Sequence, residues 1–223
     1  MTLKAVFFDL DDTLLETTGT QALRAERVAL RLQRELPALA CGAFIERAIA
    51  KDPATGWALG VAALIEEAGL RDTEAGKEAL KLWFFQGCED LVRCFPGAEQ
   101  VLRELTKDYL LGVITNGQER RQRAKFESLG IHELFRVFLT SERAGAEKPS
   151  AEIFLIALKE AGVTAAEAAF VGDRLDVDVF GARQAGMTAI WLDHQGRCPA
   201  GVGPEPDARI LGFAELPDAV KSL

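Results

Sequence analysis

Five short apolar runs, separated by stretches with helical periodicity, constrain the fold of this chain more than any other feature. A short, fully apolar run between polar turn residues is typical of a strand buried on both faces of a parallel sheet. Strands that alternate with helices predict βαβ units and a sheet covered by helices. The predicted strands are Ala5–Phe8, Leu110–Ile114, Val137–Leu139, Ala168–Val171 and Thr188–Trp191.

Glycines mark the ends of three predicted helices in the second half of the chain. A glycine that follows a helix is suited to the left-handed conformation that ends it. Together with the strands, these helices predict an α/β fold with a doubly wound, Rossmann-like parallel sheet as its core. The predicted helices are Gln118–Leu129, Ala151–Ala161 and Leu175–Ala185, followed by Gly130, Gly162 and Gly186.

Residues 16–93 break this alternation, because they show helical periodicity and no convincing strand. We therefore predict an α/β core of residues 1–15 and 94–223 and an inserted all-helical domain of residues 16–93. An insertion that leaves and rejoins the core at neighbouring points can move as a lid. Its aromatic residues are more typical of a helical core than of a pocket; they are Trp57, Trp83, Phe84 and Phe85.

The composition excludes several classes of partner and site. A formal net charge of −8 argues against nucleic acid or an anionic membrane as the main partner. No apolar run approaches the roughly 18 residues of a membrane span, and the N-terminus indicates a strand rather than a signal peptide, so we expect a cytoplasmic protein. Four cysteines without a C-x-x-C pair argue against a zinc cluster. The basic cluster of Arg120, Arg121, Arg123 and Lys125 is interpreted as a solvated helix face.

Four polar motifs follow predicted strands or lie in the loops beyond them, where open α/β sheets bind ligands. The first is Asp9-x-Asp11-x-Thr13, directly after the first strand. A polar turn in which Asp12 or Thr13 caps a helix would be the structural explanation. Two acids and a hydroxyl at this spacing after a buried strand instead favour a reactive site.

The next two motifs carry groups suited to an anion. Thr115-Asn116-Gly117 follows the second strand, and its hydroxyl and amide can hold a phosphate oxygen without adding charge. Asn-Gly is also a common turn pair, so this motif alone is weak. Lys148 precedes a predicted helix and can reach an anion, although a solvated surface lysine is the better interpretation of that residue alone.

The fourth motif places three acids within six residues, after a buried strand. Asp173, Asp176 and Asp178 are costly together unless a cation or a basic partner neutralises them. Helix capping accounts for one of these acids and hardly for all three. The motif therefore indicates a site for a cation or for a basic side chain.

Together the four motifs resemble those of the haloacid dehalogenase superfamily of hydrolases, in the expected order and over nearly the whole chain. The resemblance rests on Asp9-Leu10-Asp11-Asp12-Thr13, Thr115, Lys148, and Gly172-Asp173 with Asp178. It implies that residues 1–15 and 94–223 form the catalytic core and that the inserted helices of residues 16–93 form a cap domain. It implies that Asp9 is a nucleophile that forms an aspartyl-phosphate. It also implies that Asp11 is the general acid towards the leaving group and then the general base towards water.

The resemblance further implies a cofactor and a phosphate site. Mg²⁺ would be held by the carboxylates of Asp9 and Asp173 and by the backbone carbonyl of Asp11. Phosphate would be bound by Thr115, helped by Asn116, and by Lys148. Asp178 would support the metal shell or hold Lys148 in place, and Asp176 has no clear role.

The expected function is Mg²⁺-dependent hydrolysis of a small phosphorylated metabolite, of the sugar phosphate or nucleoside monophosphate class, by a monomer or homodimer. A phosphomutase of the same fold would share all four motifs and stays open. A 2-haloacid dehalogenase is disfavoured by Asp11, because a halide leaving group needs no proton. A non-catalytic relative would usually have lost one of the motif residues.

Overall fold

The computed structural model describes residues 2–50, 60–84, 86–87, 89–194 and 204–223. The chain divides into two compact units. One comprises Met1–Glu16 and Arg93–Leu223, and the other comprises Thr17–Val92. No helix within the described residues combines the length and the apolar character that a membrane span requires.

The unit of residues 17–92, called the helical unit below, contains four α-helices within its described residues: α1 (Gln21–Gln33), α2 (Cys41–Ile49), α3 (Gly60–Glu67) and α4 (Glu74–Trp83). Their apolar faces share one core, in which Val28 of α1 and Phe44 of α2 are buried. Trp83 is buried in this core and Phe84 packs against it, as predicted for aromatic residues of a helical bundle. Trp57 and Phe85 lie outside the described residues.

The other unit, called the sheet unit below, contains a six-stranded parallel sheet, which confirms the predicted fold class. Its strands are β1 (Ala5–Phe8), β2 (Leu110–Thr115), β3 (Val137–Thr140), β4 (Ala168–Gly172), β5 (Thr188–Leu192) and β6 (Ala208–Ile210). They are arranged in the order β3-β2-β1-β4-β5-β6. The first strand therefore lies between β2 and β4, and the remaining strands lie outside them.

Where the structure describes the sheet unit, it contains six α-helices: α5 (Ala98–Leu105), α6 (Glu119–Ser128), α7 (Ser141–Ala144), α8 (Ala151–Ala161), α9 (Phe180–Gln184) and α10 (Leu216–Ser222). The glycines predicted to end helices, Gly130, Gly162 and Gly186, all adopt positive φ. The predicted helix from Leu175 begins instead with a π-helical turn, Leu175–Val179, which precedes α9.

Strand β6 was not among the sequence predictions. It has three residues, and its central residue, Arg209, is exposed. A strand this short at the edge of a sheet needs no apolar run, so the pattern that marks the buried strands is missing. It pairs with β5 from Ile190 to Leu192.

The central strand is packed tightly against its neighbours. All four residues of β1 are buried, and Phe7 pairs with Gly112 on β2 and with Phe170 on β4. A Cβ atom at Gly112 would lie 2.5 Å from the ring of Phe7. Glycine at this position therefore makes room for the ring that fills the centre of the sheet.

We expect Gly112→Ala to lower the free energy of unfolding by about 1–3 kcal/mol, because the new methyl group overpacks against the Phe7 ring. Urea unfolding followed by circular dichroism measures the change. Gly212→Ala is the matched control: a Cβ there meets nothing within 4 Å, so we expect a change within about 0.5 kcal/mol. Equal losses in both variants would contradict the packing argument.

Candidate active site

The central strand brings Asp9 to the middle of the carboxyl edge of the sheet. The backbone amide of Asp9 donates to the carbonyl oxygen of Val171 over 2.9 Å, which keeps Asp9 in register with β4. Its side chain is almost fully buried. Because β2 ends at Thr115 and β4 is followed by Asp173, three of the candidate residues meet at the point where the strand order reverses.

Lys148 lies buried between two carboxylates. Its Nζ atom donates to Asp9 Oδ1 over 2.6 Å and to Asp178 Oδ1 over 2.7 Å. Burial alone would lower the pKa of Lys148, but the carboxylates of Asp178 and Asp9 raise it above its usual value. The lysine is therefore a permanent cation beside Asp9, and the surface interpretation of Lys148 taken alone was wrong.

Asp178 reaches Lys148 because of two local features. The π-helical turn, in which the amides of Asp178 and Val179 both donate to the carbonyl of Arg174, turns the Asp178 side chain inwards. Gly172 leaves the space: a Cβ there would lie 2.5 Å from the carboxyl carbon of Asp178. The second carboxylate oxygen accepts from the Arg174 amide over 3.1 Å. Of the two roles expected for Asp178, the structure shows its contact with Lys148.

The turn after β1 also contributes to the site. Asp12 adopts a positive φ of 55°, which an aspartate tolerates better than most residues. Its amide donates to the carbonyl of Leu15 over 2.7 Å. No helix starts here in the described chain, so helix capping does not explain the motif. Thr13 is buried, and its Oγ1 atom lies 3.4 Å from Asp173 Oδ1.

Three acids in this region are arranged as a cation site would require. Asp9, Asp173 and Asp178 each offer a carboxylate oxygen, and these oxygens lie within 4.8 Å of one another. One lysine balances only part of their charge. Hard oxygen donors suit Mg²⁺ better than zinc, so the residues fit the expected ion. Its coordination by the backbone carbonyl of Asp11 stays a prediction.

The electrostatics of the protein's own groups point the same way. Burial raises the pKa of Asp173 to about 9, and the charges of Asp178 and Asp9 add to this shift. Burial also raises the pKa of Asp9 to about 7, although Lys148 opposes it. A divalent cation stabilises the ionised form of neighbouring carboxylates whose pKa values are raised in this way.

Asn116 has a contact that the sequence did not predict. Its amide nitrogen donates to the carbonyl of Lys148 over 2.9 Å, and its carbonyl oxygen accepts from the Lys148 amide over 2.8 Å. These two bonds fix the backbone of Lys148 against the end of β2. The structure thus makes Asn116 a support for the lysine, and its predicted contact with phosphate stays a prediction, as does that of the buried Thr115.

Asp11 is held by residues that sequence reasoning missed. Lys125 donates to both carboxylate oxygens of Asp11, over 2.8 Å and 3.0 Å, and Gln122 donates to one of them over 2.8 Å. Lys125 was interpreted as part of a solvated helix face, which is wrong, since its side chain is only 12% exposed. The spacing of Gln122 and Lys125, three residues apart on a predicted helix, is the signal that could have found them.

The other members of the motifs lie at the surface. Asp176 pairs with Arg174 and its side chain is 70% exposed, so the structure gives it no place in the cluster of acids. Arg120, Arg121 and Arg123 are exposed on α6, as interpreted from the sequence.

The sequence also did not predict a contact between Trp191 and the acids. The Nε1 atom of Trp191 donates to the backbone carbonyl of Asp173 over 2.9 Å.

Comparison with known proteins places this chain in a family. The family model for haloacid dehalogenase-like hydrolases matches residues 3–186. A glyceraldehyde 3-phosphate phosphatase from Methanothermobacter thermautotrophicus is 34% identical over 203 residues, which cover 86% of this chain and 87% of the relative. The resemblance inferred from the four motifs is therefore confirmed.

Two solved structures share the fold over almost their whole length. A HAD phosphatase from Thermococcus onnurineus has a TM-score of 0.71 and 28% identity, covering 97% of both chains. A 2-haloacid dehalogenase from Pseudomonas syringae pv. Tomato DC3000 has a TM-score of 0.67 and 31% identity, covering 99% of both chains. The two named activities differ in whether the leaving group needs a proton.

We expect the free energy of unfolding of the metal-free protein to fall as the pH rises from about 4 to about 9. Folded Asp173 keeps its proton up to a pKa of about 9, whereas the unfolded chain releases it near 3.8, so the folded state binds the extra proton throughout this range. Urea unfolding in a chelator at several pH values measures the slope.

Asp173→Asn should flatten this slope, and excess Mg²⁺ should stabilise the wild-type protein at high pH. Asp176→Asn is the control, because that side chain is largely exposed, and it should leave the slope unchanged. An identical slope in the wild type and in Asp173→Asn would refute the assignment of the raised pKa.

Proposed function

The chain belongs to the haloacid dehalogenase-like hydrolases, and we propose that it uses Mg²⁺ to hydrolyse a small phosphomonoester through a phosphoryl group carried on Asp9. Within that family it is a phosphoric monoester hydrolase that acts on phosphorylated small metabolites. The observation that carries the mechanism is the pair of acids after β1. Asp9 lies against Lys148, and Asp11 is held separately by Gln122 and Lys125.

In the first step, a carboxylate oxygen of Asp9 attacks phosphorus while the bond from phosphorus to the ester oxygen breaks. Lys148 lies 2.6 Å from Asp9 and reduces the repulsion between this carboxylate and the anionic phosphate. Asp11 gives its proton to the leaving oxygen. The products of the step are the free alcohol and an aspartyl-phosphate on Asp9.

In the second step, water replaces the alcohol as the reacting partner. Asp11, now a carboxylate, removes a proton from the water, whose oxygen forms a bond to phosphorus. The bond between phosphorus and Asp9 breaks, which releases inorganic phosphate and restores Asp9. Both steps need a proton to move at Asp11, so one side chain serves in both directions.

Magnesium ion fits the acids of the site, and the residues that would hold it are Asp9 and Asp173, with the backbone carbonyl of Asp11. When bound, it supplies positive charge that stabilises the negative charge developing on the phosphoryl oxygens. Asp178 keeps Lys148 beside Asp9, so the lysine and the cation act on the same anion.

Asp11 separates the phosphatase from the dehalogenase. Release of a halide requires no proton, and an alkoxide leaving group requires one. A side chain that can donate a proton to the leaving group is therefore needed for hydrolysis of a phosphate ester and is not needed for release of a halide. The proposal therefore favours the chemistry of the phosphatase relatives over that of the dehalogenase.

The substrate class that we propose is sugar phosphates, with nucleoside monophosphates as the second candidate. The similarity to a glyceraldehyde 3-phosphate phosphatase supports the first. The motif residues of the sheet unit are committed to phosphate, cation and proton transfer. We therefore assign the choice among alcohol groups to residues 16–93, the proposed cap domain.

We expect the purified protein to release phosphate from p-nitrophenyl phosphate and from at least one sugar phosphate, and a chelator to abolish this activity until Mg²⁺ is restored. Malachite green detection of phosphate measures both. Release of chloride from 2-chloropropionate serves as the opposing assay. Full activity in excess chelator, or chloride release without phosphate release, would rule out the proposed function.

We expect substitutions of Asp9 and Asp11 to impair different steps of the reaction. Asp9→Asn should form no phosphoenzyme, whereas Asp11→Asn should accumulate aspartyl-phosphate with an aryl phosphate, because its good leaving group needs little protonation while water still needs a base. We expect Asp11→Asn to lose roughly 10²- to 10⁴-fold in turnover for each assisted step. Acid quench and intact-protein mass spectrometry detect the added phosphate. Turnover by Asp9→Asn, or phosphate on another residue, would exclude the mechanism.

A further inference from the structure

Helix α6 directs two polar side chains at Asp11, and the reaction steps leave both unassigned. Gln122 and Lys125 lie three residues apart, so the helix places them on one face. Lys125 Nζ donates to Asp11 Oδ1 over 2.8 Å and to Oδ2 over 3.0 Å. Gln122 Nε2 donates to Asp11 Oδ2 over 2.8 Å. Both carboxylate oxygens of Asp11 are thus held from one helix.

The burial of these side chains distinguishes them from the rest of the helix surface. Gln122 is buried, and the Lys125 side chain is 12% exposed against 30% for Asp11. The neighbouring Arg120 and Arg121 are exposed. Fixing a long lysine side chain costs rotamer entropy, and a pair between two solvated groups contributes little. A lysine that is ordered and largely covered is therefore suited to fixing the position of its partner.

Gln122 also connects Asp11 to the end of β2. The same Nε2 atom donates to Thr115 Oγ1 over 2.7 Å. Gly117 packs beside it: a Cβ there would lie 3.1 Å from Gln122 Cγ. The side chain of Gln122 is therefore enclosed, and it relates the position of Asp11 to that of the residue expected to bind phosphate.

We propose that Gln122 and Lys125 are positioning residues that hold the carboxylate of Asp11 in the orientation required for proton transfer; we call them the α6 clamp. The proposal rests on the proposed function of Asp11 as acid and base. The clamp acts through Asp11 and takes no proton itself. Its importance follows from geometry, because misplacement of a reacting group by about 1 Å can cost 100-fold in rate.

The test compares Lys125→Met and Gln122→Met with Arg120→Met, which removes a charge from an exposed position on the same helix. We expect kcat to fall by about 10- to 100-fold in the two clamp variants, with KM changed far less, and the Arg120→Met protein to match the wild type. Lys125→Arg keeps the charge and should recover part of the loss. Urea unfolding of each variant measures the folded fraction by which the rates are corrected.

A second readout separates positioning from general damage. With an aryl phosphate, the clamp variants should hold a larger fraction of their active sites as aspartyl-phosphate than the wild type, because the step that needs Asp11 as a base is slowed. In the Asp11→Ala background, Lys125→Met should change turnover by no more than about twofold, because the residue through which it acts is gone.

The outcomes distinguish this inference from the function on which it rests. If the wild type turns over and the kcat of Lys125→Met is equal to or higher than that of the wild type, the proposed role of the α6 clamp is refuted while the proposed phosphatase function stands. A loss that is equally large in the Asp11→Ala background also refutes it, since Lys125 would then act elsewhere. Absence of any phosphoenzyme in the wild type and in Asp11→Asn overturns the proposed function, and the clamp with it.

Discussion

The ion pairs that bury Lys148 between Asp9 and Asp178 are the interaction on which the rest of the site depends. They join the end of the central strand, the loop before α8 and the turn after β4. A charged group removed from water is tolerable only with such partners. Each partner needs its own support: Asn116 for the backbone of Lys148, and Gly172 for the approach of Asp178.

The same cluster of charges supports the proposal that the site binds an anion and a cation together. Two acids use the charge of Lys148, and a third, Asp173, has a strongly raised pKa because it is buried and because the charges of the other two lie close to it. In the proposed function, a bound divalent cation would offset this repulsion, and the phosphoryl group would then meet a surface with less negative charge. The stability of the fold and the chemistry of the site therefore make opposite demands on these acids, as is common at functional sites.

Much of the fold was predictable from the sequence because strands buried in a parallel sheet are encoded by short runs of apolar residues. The run Ala5–Phe8 was predicted with its observed bounds, and the acids after it lie at the switch point because the strand order requires it. Strand β6 was not predicted because it is a three-residue edge strand with an exposed Arg209 at its centre, and such a strand has no apolar run. The α6 clamp was not predicted for a different reason. Charge patterns show that Lys125 is basic, but only tertiary packing shows that it is covered.

Trp191 gives the site a property unrelated to its chemistry. Its indole is bonded to the backbone of Asp173, and the guanidinium of Arg209 lies 5.2 Å from its ring centre. The wavelength of indole emission shifts with the electric field across the ring, so we expect the emission of Trp191 to shift when the charge of Asp173 changes. Trp83 lies in the core of the helical unit. Of the chain's three tryptophans, the two within the described residues therefore report on different parts of the protein: Trp191 on the acids of the sheet unit and Trp83 on the core of the helical unit.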